Sequence, residues 1–127
     1  MPYWLIAIIA LHVLSSTFWA GTTFVLARIG SNDGARLFRP QIGAASVAIA
    51  SGGLLWLLQH EGSFYSAEKV LALGAGAAFA AFALQAIDAP RSFRNPAGAA
   101  LPLDLLYRIS AALLLVTVLC MVTARYV

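Results

Sequence analysis

One histidine, His12, stands in the middle of an apolar run that begins at Tyr3 and carries no charge until Arg28. That run exceeds the roughly 20 residues a bilayer core requires. An ionisable side chain at such a position is costly unless it meets a partner or a ligand, so His12 is the first candidate for chemistry. At 100° per residue, Ser15, Ser16, Trp19, Thr22 and Thr23 fall within about 80° of it, forming one polar stripe. The stripe is expected to face a protein interior, and the opposite side, with Ala10, Leu14, Phe18 and Val25, to face lipid. A histidine that only hydrogen-bonds a neighbouring helix is the bland alternative; a metal or haem ligand is the sharper one.

Depth selects the partners His12 could have. It lies nine residues into its run, roughly 14 Å from the outer boundary at 1.5 Å per residue. In the last apolar run Cys120 and Met121 lie about 10 Å from the corresponding end. Imidazole with thiolate or thioether suits copper, Cu(I) above all, so His12, Cys120 and Met121 form a candidate metal set. Ser110 and Thr117 share the face of Cys120 and Met121. Both sulfur residues also serve as ordinary core fillers. His60, at the end of the second run near Trp56 and Gly53, is either an interfacial histidine or a second ligand, for a metal or for a haem held by His12. Lys69 reads as a boundary cation whose stem lies in the apolar phase and whose head reaches water. The phosphate-loop GxxxxGK, HExxH and CxxC patterns are absent, and no serine, histidine and carboxylate set is visible, so no soluble-type enzyme site is expected.

The elements that must position these residues follow from composition. The 127 residues are 61% hydrophobic and only 10% charged, with a mean hydropathy of +0.86; a soluble domain carries about a quarter charged residues. The charges gather in short segments between apolar stretches, so the bilayer is the expected partner. The net charge of +3 comes from cations that flank these stretches, which argues against a nucleic-acid partner. Four helices are expected, over about 3–29, 40–59, 67–87 and 102–126. The first lacks the basic start of a secretory leader and reads as a retained helix. Gly30 to Arg39 reads as a connection, with Pro40 in the first turn of the second helix. Asp88 and Pro90 read as the end of the third, Arg91 to Ala100 as a loop, and Pro102 with Asp104 as the start of the fourth. Short connections make neighbours antiparallel, so the fold class is all-α, an integral membrane up-down four-helix bundle. Gly52, Gly53, Gly74, Gly76 and the alanines around them permit close helix approach, or leave room for a bulky cofactor.

Orientation follows from the arginines and lysines. Arg28, Arg36, Arg39, Arg91, Arg94 and Arg108 fall at one end, against Lys69 and Arg125 at the other. The positive-inside rule makes the arginine-rich end cytoplasmic and both termini external, periplasmic if the membrane is a bacterial inner membrane. Tyr3, Trp4, Trp56, Tyr65 and Tyr126 gather near the outer boundary as an aromatic belt.

The first helix, LHVLSSTFWAGTTFVLAR, pairs Leu11-His12 with Trp19-Ala20-Gly21 after six intervening residues. It resembles the opening helix of the copper-resistance D (CopD) family and, more distantly, that of the membrane haem proteins of the HemJ family. The Gly52-Gly53-Leu54-Leu55-Trp56-Leu57 stretch and Lys69 opening an apolar helix fit both loosely. The first resemblance implies periplasmic copper handling and the second haem b, with His12 the matching position in either case and Trp19 beside it. The third-helix histidine of HemJ proteins has no counterpart here, where Gln85 is the polar residue. The expectation is a bacterial inner-membrane protein holding copper or haem b in the periplasmic half of its bundle. The rival is a non-catalytic accessory subunit of a larger respiratory or energy-converting complex, offering its helix faces to other membrane subunits or to a second copy. Electron exchange with quinone through a haem is a third expectation.

Overall fold

The computed structural model describes residues 2–30, 34–59, 66–98, 101–124 and 126. These form α1 (Tyr3–Ile29), α2 (Gly34–Gln59), α3 (Ser66–Ala83), a π-turn over Leu84–Asp88 that leads without a break into α4 (Ala89–Arg94), and α5 (Leu103–Ala124). With α3, the π-turn and α4 counted as one span, four helices are long and apolar enough to cross a membrane. The all-α four-helix bundle is therefore as expected. His60 and Tyr65 lie outside the described residues, as does Arg125.

Two boundaries differ from the sequence expectation, and both have the same cause. The segment before Pro40 is helical from Gly34, so Pro40 sits inside α2 and not in its opening turn. Proline there removes one bond to the Arg36 carbonyl, but Leu37 and Phe38 pack on the buried group of Leu26, Ala89, Leu106 and Tyr107 and hold the early turns in place. At the other edge of the same cluster, the third span runs on past Asp88 and Pro90 to Arg94. The Ala89 N–H donates to the Leu84 carbonyl, five residues back. Pro90 follows as the register shifts, so its missing donor falls where the ordinary pattern is already interrupted. Phe93 from α4 meets Phe38 edge to face, with ring centres 5.7 Å apart. Burial in this cluster outweighs the local breaking tendency of each proline.

The helices pair as α1 on α2 and α3 on α5, and α1 against α5 joins the pairs, whereas α2 and α3 meet at few points. The bundle is thus open along the α2/α3 seam. The α3/α5 pair closes tightly at Gly74, where an added Cβ would stand 2.9 Å from the Cys120 Cβ and 3.3 Å from the Thr117 carbonyl oxygen. Thr117 Oγ1 donates to the Gly74 carbonyl at 2.9 Å across the same contact. Gly74→Ala is accordingly expected to lower stability in detergent by about 1–3 kcal/mol through overpacking. Gly76→Ala, whose Cβ would meet nothing within 4 Å, serves as the comparison in the same unfolding measurement. Equal stability of the two variants would contradict this packing.

The arginines Arg28, Arg36, Arg39, Arg91, Arg94 and Arg108 are all exposed. Chain order puts them at one end of the bundle, at the close of α1 and α4 and the start of α2 and α5. Tyr3, Trp4 and Tyr126 are exposed toward the other.

Candidate functional site

Where α2 and α3 part, a cleft of about 360 Å³ runs into the bundle. Its walls are largely apolar: Ile49, Leu55 and Trp56 from α2, Leu71 and Phe79 from α3, Leu114 and Val118 from α5. The polar groups that reach it are His12 and Ser16 from α1 and Thr117 from α5, with Met121 adding a thioether. Few polar groups in an apolar, concave setting are the usual character of a ligand site.

The imidazole of His12 is held on one side only. Nδ1 lies 2.9 Å from the Ala48 carbonyl oxygen and 3.1 Å from Ser51 Oγ. A carbonyl can only accept, so Nδ1 carries the proton and donates to it. Ser51 Oγ donates to the same carbonyl at 3.1 Å. In the neutral ring Nε2 then bears the lone pair, and it has no hydrogen-bond partner among the described residues. A backbone acceptor on one nitrogen that fixes the tautomer and leaves the other nitrogen to a ligand is the arrangement common to metal-binding histidines. Gly52 makes room for it: a Cβ there would stand 2.9 Å from the His12 Cε1 atom. Helix α2 therefore gives the ring both its acceptor and its berth.

Trp19 closes the inner end of the cleft. It is 3% exposed and meets Phe82 edge to face at 6.5 Å, while its indole N–H donates to Gln85 Oε1 at 2.8 Å. The Gln85 amide N–H donates in turn to Thr23 Oγ1 at 3.0 Å, and Gln41 donates to the same hydroxyl at 3.0 Å and to Thr22 Oγ1 at 3.1 Å. Thr23 itself donates to the Trp19 carbonyl at 2.8 Å. This buried knot fixes the indole plane that forms part of the cleft wall.

Of the residues singled out in the sequence, His12, Trp19 and Met121 line one cleft. Cys120 does not: it is buried toward α3 against Gly74. The shared depth of Cys120 and Met121 is real, but adjacent residues on a helix point about 100° apart, so only one of them reaches the cleft. His60 lies outside the described residues. Among the described residues no three of His, Cys, Asp or Glu come together as a metal set. Trp56, expected in an interfacial belt, is half-buried in the cleft wall. The polar stripe on α1 faces inward as expected, whereas Leu14 is 70% exposed and Phe18 and Val25 also lie outside. Gln41 was not distinguishable in the sequence from a polar residue at a helix start, and the amide knot it joins was missed for that reason.

No protein-family model, no curated protein and no solved structure matches the chain.

Proposed function

We propose that the protein is a multi-pass component of a bacterial inner membrane, with both termini periplasmic, that holds a b-type haem in the outer cleft through Nε2 of His12. The observation that carries this reading is the one-sided anchoring of the His12 ring, Nδ1 on the Ala48 carbonyl and Nε2 left to a ligand. The setting favours haem over copper. A flat apolar ring suits walls built from Trp19, Trp56, Phe79 and Leu114. A copper ion needs several close donors, and Cys120 is turned to α3. Met121, whose thioether reaches the same cleft, is the further residue that would hold the iron. The Leu-His and Trp-Ala-Gly resemblance to CopD and HemJ proteins supports the same position for the ligand.

A haem bound there would supply one-electron chemistry; the chain's own residues do the rest. Ala48 and Ser51 orient the imidazole and strengthen it as a donor. Gly52 lets the ring lie against α2. Trp19 bars the cleft from the polar groups beneath it. The open α2/α3 seam exposes the cleft to lipid, so exchange with a membrane-dissolved reductant such as a quinol is sterically open.

Absorption spectra and copper content of purified wild type, His12→Ala and Cys120→Ser test this reading together. A Soret band is expected in the wild type and in Cys120→Ser, and its loss in His12→Ala. Wild-type protein with copper and no haem would overturn it in favour of copper handling; protein with neither would defeat both.

A second reading draws on the open seam. Phe79 of α3 is exposed in the cleft wall beside that seam, and a helix of another membrane subunit, or of a second copy, would fit there as an accessory contact. Native mobility in mild detergent checks it: co-migration with respiratory chains supports the accessory role, and a particle of one chain removes it.

A further inference from the structure

The amide knot beneath Trp19 is incomplete in a way that points to a ligand of its own. Gln41 Oε1, Ser110 Oγ and Tyr107 Oη are buried without a hydrogen-bond partner among the described residues, and their side chains belong to residues no more than 1% exposed. The orientation of the Gln41 amide is not arbitrary. Thr22 and Thr23 spend their hydroxyl protons on the carbonyls of Phe18 and Trp19, so toward Gln41 they can only accept. Gln41 must therefore turn its nitrogen to them and its oxygen away, toward a donor the described residues do not supply.

These groups occupy one level. Thr23 is six residues from the end of α1, Gln41 and Ser110 seven from the starts of α2 and α5, and Gln85 nine from the end of α4. At 1.5 Å per residue all lie roughly 9–14 Å from the arginine-rich end. Every span thus contributes a polar group to one layer. The Tyr107 hydroxyl lies nearer that end than the layer, with Oη 3.0 Å from where a Cβ at Gly34, the first residue of α2, would be. Orphaned oxygens at this depth cannot turn to bulk solvent, since a bilayer offers none.

We infer that the layer is a water-binding site, in which bound water donates to Gln41 Oε1 and pairs with Ser110 Oγ, with Tyr107 Oη a further hydration point toward the start of α2. Water fits the chemistry because one acceptor-only amide oxygen and two hydroxyls ask for a small partner that both donates and accepts. The site ends at Trp19, whose indole nitrogen can only donate and is already committed to Gln85. This inference is independent of what the cleft holds.

The three glutamines make selective labelling practical. In lipid nanodiscs, with ¹⁵N-glutamine protein and each side-chain amide assigned by substitution, magnetisation transfer from water should reach the Gln41 NH₂ group. The signal should be lost in the double variant Ser110→Ala with Tyr107→Phe. Wild-type protein without it overturns the inference. So does a signal that survives unchanged in the double variant, because it would then originate from the Thr22 and Thr23 hydroxyls and not from bound water.

Discussion

Gln85→Leu is expected to destabilise the bundle by about 1–3 kcal/mol, the cost of leaving a buried donor without its acceptor. Leucine is close to glutamine in volume, so little of the loss comes from a cavity. What is lost is the acceptor of the Trp19 indole N–H at 2.8 Å and one of the two amide donors to Thr23. In a bilayer the stranded N–H has no bulk water to turn to. The diagnostic comparison is Gln85→Leu combined with Trp19→Phe. Removing both members of a polar pair relieves the unpaired group, so the double variant should cost less than the sum of the two single changes in reversible unfolding from mixed micelles. Strict additivity would mean the indole and the amide do not stabilise each other, and the knot would lose its place as the support of the cleft wall.

How far the sequence discloses this protein depends on which force decides each feature. The four spans are legible because the bilayer acts on average hydropathy over some twenty residues, a property any window of the chain carries. The inward stripe of α1 is legible for a similar reason: His12, Ser16, Trp19 and Thr23 recur at helical spacing, and the structure buries Trp19 and Thr23 completely or nearly so. Pro40 and Pro90 mislead because proline is a local signal, and here Leu37, Phe38, Phe93 and Tyr107 gather from distant parts of the chain into one cluster that overrides it. The wide turn at Leu84–Asp88 has no residue signature; it shows only in the backbone, where the Ala89 N–H reaches the Leu84 carbonyl. Cys120 and Met121 could be placed at one depth but not on one side, since rotation of α5 about its axis is set by the Gly74 contact. His12 was legible as a position and not as a geometry, because its tautomer depends on a carbonyl 36 residues away.

That carbonyl and the glycine beside it give the most direct test of the cleft. Gly52→Val should weaken haem retention about 10–100-fold, the range for disturbing a group that orients a metal-binding histidine. A Cβ at residue 52 would already stand 2.9 Å from His12 Cε1 and 3.4 Å from Nδ1, closer than carbon atoms pack, and the two further methyl groups of valine leave the ring no return. The imidazole must swing off α2, breaking the Nδ1 bond to Ala48 and turning Nε2 from its present direction. Gly43→Val, on the same helix where a Cβ would meet nothing within 4 Å, carries the same change of helix propensity and β-branching without touching the ring. Transfer of haem from each variant to apomyoglobin, followed at the Soret band, measures the difference. If the two variants lose haem equally fast, the position of His12 against α2 is not what holds the ligand, and the outer cleft must bind whatever it binds through other groups.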